Sequence, residues 1–361
     1  MRQVNKILLP SARLAALNGA RKLRALLQPN GKFIYSHDYL TGTAARKEYN
    51  LLRHCGSLWA LLVCRQHFSG DLNGGDYLRA VQSGLDWLWQ HHVVAQDNRA
   101  LVVWKDYIKL GGNALALLAI SEFIRAMLAA EFRSNSTWQI KHHEIWLERA
   151  ENLALGLHFL RQGPEGDFIH KMSALDGSVA DFRSDYYTGE ALFALGHWRT
   201  TCQQLVVHGR AIDKFPSYLL YPDACQLLLR LARQNYGLEF QSHWMCYAVS
   251  QEITARQLPN ADVAELQEYL EALVNDIVAR PDYRRRRKAN PIACRSEALL
   301  AAWPLYQSEK IQNTIDVNIM LQLQWVRENG AIVESDKNTE VRIDTVQHGI
   351  CAFANYARLM T

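Results

Sequence analysis

The sequence predicts one all-α domain, residues 1–361, built from six helical hairpins with short β patches in the connecting loops. Three observations predict it. Six segments have a polar head followed by an apolar helix laced with small residues, and six others carry a single apolar stripe. The two kinds alternate along the whole chain, a repeat of roughly 50–70 residues. The connectors also repeat, each a Gly-bearing turn followed by aromatic or branched residues, as in QPNGKFIYSHD at Gln28 and RENGAIVESD at Arg327.

The striped helices are expected near Val4–Leu27, from Asp76, near Glu144–Leu160, Tyr218–Ala232, Val263–Val278 and Ile311–Val326. The third aligns Leu147, Ala150, Leu153, Ala154 and Leu157 at helical spacing, which makes one buried face. The polar-headed segments begin at Arg46, Trp104, Arg183, Gln241, Ala293 and Val341. Helices that are apolar nearly all round belong in a core, and small residues let them approach closely. Their polar heads need partners once buried, so the economical arrangement gathers them around one water-accessible funnel.

Composition narrows the class. Hydrophobic residues make up 49% and charged residues 21%, as in ordinary globular domains. A formal charge of +4 is too small to argue for nucleic acid. The run RRRRK at Arg284–Lys288 has no interleaved aromatics; it reads as a solvated loop, or as a polyanion attractor at the funnel mouth. Seven cysteines without paired spacing suit a reducing compartment, so a cytoplasmic location is expected. The basic start MRQVNKILLPSARLAAL has no continuous apolar core, and no run is expected to span a membrane. Dinucleotide, Walker and nucleophile-elbow motifs are absent, and no cofactor is expected.

Six outer helices alternating with six inner ones, with connectors before every inner head, resemble the (α/α)6 toroid of six-hairpin glycosidases. The resemblance implies carbohydrate-active chemistry: hydrolysis, elimination or epimerisation, here on an acidic, uronate-type glycan. Toroids also include lanthionine and terpene cyclases, so the fold alone does not choose the chemistry. The run YNLLRH at Tyr49–His54 is similar to a YDLRH-type run of glucuronyl C5-epimerases, with one extra residue.

The heads supply the candidate groups. Carboxylates stand at Glu48, Asp106, Asp185, Glu190, Glu297 and Asp344, and glycoside cleavage needs two facing each other across the bond. Lyases and epimerases need a base, often with a Tyr or His acid. Asp185 and Glu190 with Tyr186, and Asp344 with His348 one turn on, form the expected catalytic set, the two groups facing each other across the funnel. Tyr49, Arg53, His54, Asp106, Tyr107, Lys109, Arg183, Tyr187, His243, Arg295, Glu297, Arg342 and Gln347 are expected to hold an acidic oligosaccharide or other anion. A plainer reading makes Asp106, Asp185 and Asp344 helix caps and the charges an internal ion-pair network. The protein would then be a non-catalytic toroid that binds a glycan or a protein. Another alternative is a zinc-dependent, lanthionine-cyclase-like enzyme, since His243-x-x-Cys246 and His348-x-x-Cys351 place His and Cys on one helix face. No metal is assigned, because buried Cys packed as a small hydrophobe is the commoner arrangement.

Overall fold

The computed structural model describes residues 2–44, 49–72, 74–134, 140–163 and 166–360. Among these residues are twelve α-helices: α1 (Arg2–Leu26), α2 (Leu51–His67), α3 (Gly74–His92), α4 (Leu110–Ser134), α5 (Ile140–Phe159), α6 (Tyr187–Val207), α7 (Pro216–Arg233), α8 (His243–Ala255), α9 (Asn260–Ala279), α10 (Ala289–Ala302), α11 (Glu309–Leu323) and α12 (Ile343–Leu359). Odd-numbered helices are the striped ones and even-numbered helices the polar-headed ones, in the expected alternation. Seven short strands lie in the connectors: β1 (Ser36–Asp38), β2 (Val93–Gln96), β3 (Arg99–Trp104), β4 (Tyr107–Lys109), β5 (Lys171–Ser173), β6 (Val333–Ser335) and β7 (Asn338–Arg342).

The chain clusters into two compact units, residues 1–86 with 271–361 and residues 87–270. In the first, α12 packs against α1, α2 and α10, and glycines set the approach. A Cβ on Gly19 would stand 2.4 Å from Ile350 Cγ2, and one on Gly56 2.5 Å from Gln347 Oε1. The small residues of these helices are therefore contact surfaces, as their pattern implied. Strands β1, β7 and β6 form an antiparallel sheet whose central strand runs directly into α12, so the connector aims that helix's head.

In the second unit α6 packs between α4 and α8, and α5 covers α4. Every residue from Ala114 to Ile120 of α4 is fully buried. The stretch Leu110–Ala129 is long and apolar enough to cross a membrane, contrary to the sequence expectation, but 78% of it is buried inside the protein. Its apolar surface is that of a core helix. Strands β2, β3, β4 and β5 form the second antiparallel sheet, and α5 lies on β3 so closely that a Cβ on Gly156 would meet the Ala100 carbonyl oxygen at 2.1 Å.

One expected helix head is a hairpin. Trp104 pairs with Tyr107, and Lys105 (φ 49°) and Asp106 (φ 63°) between them are both left-handed. That is the two-residue turn whose twist matches paired strands. Asp106, Tyr107 and Lys109 thus belong to this hairpin, and α4 starts only at Leu110.

Candidate functional site

In the first unit the heads of α2, α10 and α12 carry a connected set of polar groups. Asp344, in the first turn of α12, takes Arg342 Nε at 2.5 Å and Nη2 at 3.0 Å. Arg53 of α2 reaches the same carboxylate at 3.2 Å and donates through Nη1 to the Tyr35 hydroxyl at 2.6 Å. Asn290 of α10 donates to Asp344 Oδ2 at 3.2 Å. The carboxylate is nearly buried, with 7% of its side chain exposed, whereas Arg53 keeps 32%. Burial would lower the Arg342 pKa, but the bonds to Asp344 hold it above its ordinary value. Asp344 thus lies between two guanidiniums, Glu340 is a further carboxylate beside Arg342, and Arg53 keeps the more accessible side chain.

One turn further on α12, His348 Nδ1 bonds Glu297 Oε1 of α10 at 2.8 Å. Glu297 is fully buried. Burial alone would make the His348 imidazolium harder to keep, yet the Cys294 thiol and the Glu297 carboxylate beside it raise its pKa well above the usual histidine value. Nδ1 is committed to Glu297, and Cys294 also hydrogen-bonds the ring. The pair has the make-up of a proton-transfer dyad: an imidazole oriented and charged by a carboxylate.

Cys294, Glu297 and His348 each offer a ligand atom within 4.8 Å of the others, a donor set that zinc accepts. His348 Nδ1 and Glu297 Oε1 stand at 2.8 Å, a hydrogen bond; zinc held there would spread nitrogen and oxygen ligands to roughly 3.3–3.5 Å. Cys246 and Cys351 are fully buried, and burial raises both thiols above the ordinary cysteine value.

In the second unit the connector before α6 is tied down by His170. Its Nδ1 accepts from the Ser184 amide at 2.9 Å, and its Nε2 lies 3.0 Å from Thr188 Oγ1. Burial first, then Arg183, lowers its pKa to about 4, with Asp167 opposing, so the ring is neutral near pH 7. Arg183 pairs with Asp167 at 2.5 Å. Asp185 is exposed, while Glu190, one turn into α6, is buried. The rings of Tyr186 and His243 stand 5.9 Å apart, and those of Tyr187 and His170 also 5.9 Å apart. Asp185, Tyr186 and Tyr187 therefore line the mouth of α6, with His243, at the start of α8, against Tyr186.

Several expected binding groups are occupied by the protein itself. The Phe33 amide donates to the Tyr49 hydroxyl at 3.0 Å, and that hydroxyl lies 2.8 Å from His54 Nδ1. His54 Nε2 lies 3.1 Å from the Gly84 carbonyl, which can only accept, so Nε2 carries the proton and Nδ1 accepts from Tyr49. Tyr49 and His54 thus form an internal clamp rather than ligand contacts. Gln347 is buried against Gly56. Arg295 lies over the Tyr283 ring at 5.6 Å, and Lys171 over the Tyr107 ring at 3.8 Å. None of the three aspartates caps a helix: Tyr186 and Arg342 occupy the cap positions of α6 and α12 without side-chain cap bonds, and Asp106 is in the hairpin. In the basic run, Arg285, Arg287 and Lys288 pair at the surface with Asp282, Asp336 and Glu334, and Arg284 donates to Asn318. Arg46 and Glu48 lie outside the described residues.

Sequence reasoning missed Tyr35, Asn290 and Cys294. The Cys294-x-x-Glu297 spacing on α10 was the available signal, since residues three apart share a helix face.

No family profile and no curated protein matches the sequence. Solved structures do match. A D-mannose isomerase superposes with a TM-score of 0.65 at 12% identity, covering 95% of this chain and 96% of its own. Cellobiose 2-epimerase from Spirochaeta thermophila gives 0.64 at 14% identity, covering 97% and 98%. A type II terpene cyclase from Scytonema gives 0.57 at 12%, covering 98% and 99%. Likeness at this level of identity shows the fold, which is the (α/α)6 toroid. The terpene cyclase shares it while doing unrelated chemistry.

Proposed function

We propose that this protein is a carbohydrate-active enzyme, an isomerase or 2-epimerase that moves a proton next to the carbonyl of a reducing sugar. The observation that carries the reading is the His348–Glu297 pair between α10 and α12, in a fold shared with a sugar isomerase and a sugar 2-epimerase. Removing the hydrogen at C2 of an open-chain aldose gives an enediolate; reprotonation at C2 gives the epimer and at C1 the ketose. Such chemistry needs an acid–base group and cations near the sugar oxygens. His348 suits the first role, as base through the neutral fraction of its ring and as acid through the imidazolium, Arg53 suits the second, and Asp344 positions Arg53 and Arg342. Hydrolysis is less well supported, because it asks for two carboxyl groups in acid and base roles. Among the described residues of the first unit, Asp344 is taken by arginines and Glu297 by His348.

The partly exposed Arg53 guanidinium, free to fork onto a carboxylate from its open side, supports a uronate-type substrate over its neutral counterpart. Seven thiols without a disulfide support a reducing, cytoplasmic location, and recovery of the chain from an exported fraction would count against it. The test is to incubate purified protein with paired neutral and acidic aldoses, such as mannose with mannuronate and glucose with glucuronate. Chromatography should reveal the ketose or C2 epimer, faster for the acid of each pair. Binding without conversion of any sugar would mark a glycan-binding toroid, and release of a sugar from glycosides would mark a hydrolase; either result overturns the proposal.

A further inference from the structure

Six of the seven cysteines, Cys55, Cys64, Cys202, Cys225, Cys246 and Cys351, are buried, and burial raises the pKa of each. Cys294 differs in both exposure and company. It is partly exposed, and its sulfur lies within 4.8 Å of the reactive atoms of His348 and Glu297. A thiol beside an imidazole that a carboxylate orients has the composition of a nucleophile–base–carboxylate relay. We propose that Cys294 is a redox-modification site, oxidised by peroxides to a sulfenic acid that disables the His348–Glu297 pair.

The step balances. The Cys294 sulfur attacks one peroxide oxygen, an S–O bond forms and the O–O bond breaks. Sulfur loses two electrons, and the leaving hydroxide takes a proton from His348 to become water. A dithiol reductant returns the thiol with release of a second water. Access and company make the site selective, because Cys294 is partly exposed beside the His348 imidazole, while the six other thiols are buried. The added oxygen stands where the dyad must operate, so oxidation and proton transfer compete for the same imidazole.

The loss of activity rests on the function proposed above; the chemistry of the thiol does not, and the experiment separates them. Full-length protein is treated with a few equivalents of hydrogen peroxide and trapped with dimedone, and the adduct is located by peptide mass spectrometry. One adduct per chain, at Cys294, is expected, with its rate lowered at least about tenfold in His348→Asn, and in Glu297→Gln should that variant fold better. Absence of the Cys294 adduct, spread of label over the buried cysteines, or unchanged rates in both variants overturns the proposal. Sugar conversion should be lost on oxidation, regained with dithiothreitol, and insensitive to peroxide in Cys294→Ser. Labelling of Cys294 by a protein that converts no sugar would sink the proposed function and leave the redox site standing.

Discussion

Replacing Asp344 by Asn tests whether this carboxylate holds the helix heads together. The side chain is 7% exposed and carries Arg342 at 2.5 and 3.0 Å, Arg53 at 3.2 Å and Asn290 at 3.2 Å. Asparagine keeps the shape but removes the charge, leaving two guanidiniums beside each other. Breaking one partner of a buried ion pair costs about 3–5 kcal/mol. Arg53 keeps 32% exposure and is partly screened by water, which places the loss near the lower end, about 3 kcal/mol. At about 2.1 cal/mol/K of unfolding entropy per residue, a 361-residue chain unfolding in one step loses roughly 4 °C in Tm. Circular dichroism melts at 222 nm, pH 7 and low salt would measure it. Adding Arg342→Gln to Asp344→Asn should recover part of the loss, as coupled partners do. A single variant melting within about 1 °C of the parent would refute the reasoning, because no buried charge would then have been left uncompensated.

Three further outcomes are expected. Glu297→Gln removes a carboxylate and its hydrogen bond from beside His348, so the ring's pKa should fall from its raised value while Cys294 still opposes burial; histidine Cε1–H NMR titration reads the shift directly. His158 is buried and its pKa is lowered to about 4, by burial and then by Arg161. The unfolded chain therefore binds this proton first, so stability present above about pH 6.5 should drain by about 3 kcal/mol as pH falls to 4, and urea titrations of His158→Gln should show a shallower decline. Gly156→Ala drives a methyl group against the Ala100 carbonyl, a backbone atom that cannot rotate away, and should cost about 3 kcal/mol in thermal melts.

The helices were legible because their pattern is periodic and dense. A single stripe such as Leu147–Leu157 has one solution, and α4 announces its burial by being apolar all round. The hairpin at Trp104–Tyr107 was hidden, because Lys105 and Asp106 adopt left-handed backbone without the Asn-Gly or Asp-Gly signature of that turn. The site was legible in residue type and not in partnership. Asp344, Arg342, Arg53, Glu297 and His348 were all picked out, but a polar head says nothing of what will satisfy it. His348 and Glu297 lie 51 positions apart, and only the packing of α10 on α12 joins them. Tyr49 and His54 show the converse, since polar residues at a head were taken up by the Phe33 amide and the Gly84 carbonyl.

The central claim, proton transfer beside a sugar carbonyl by His348, is tested most directly by isotope exchange. Purified protein would be incubated with the aldose panel in D2O, and deuterium at C2 followed by proton NMR, in the parent and in a folded His348→Asn variant. The account predicts exchange with at least one sugar, slowed about 10²–10⁴-fold by the substitution. Exchange that persists at the parent's rate in His348→Asn, or none with any sugar of the panel, would contradict it.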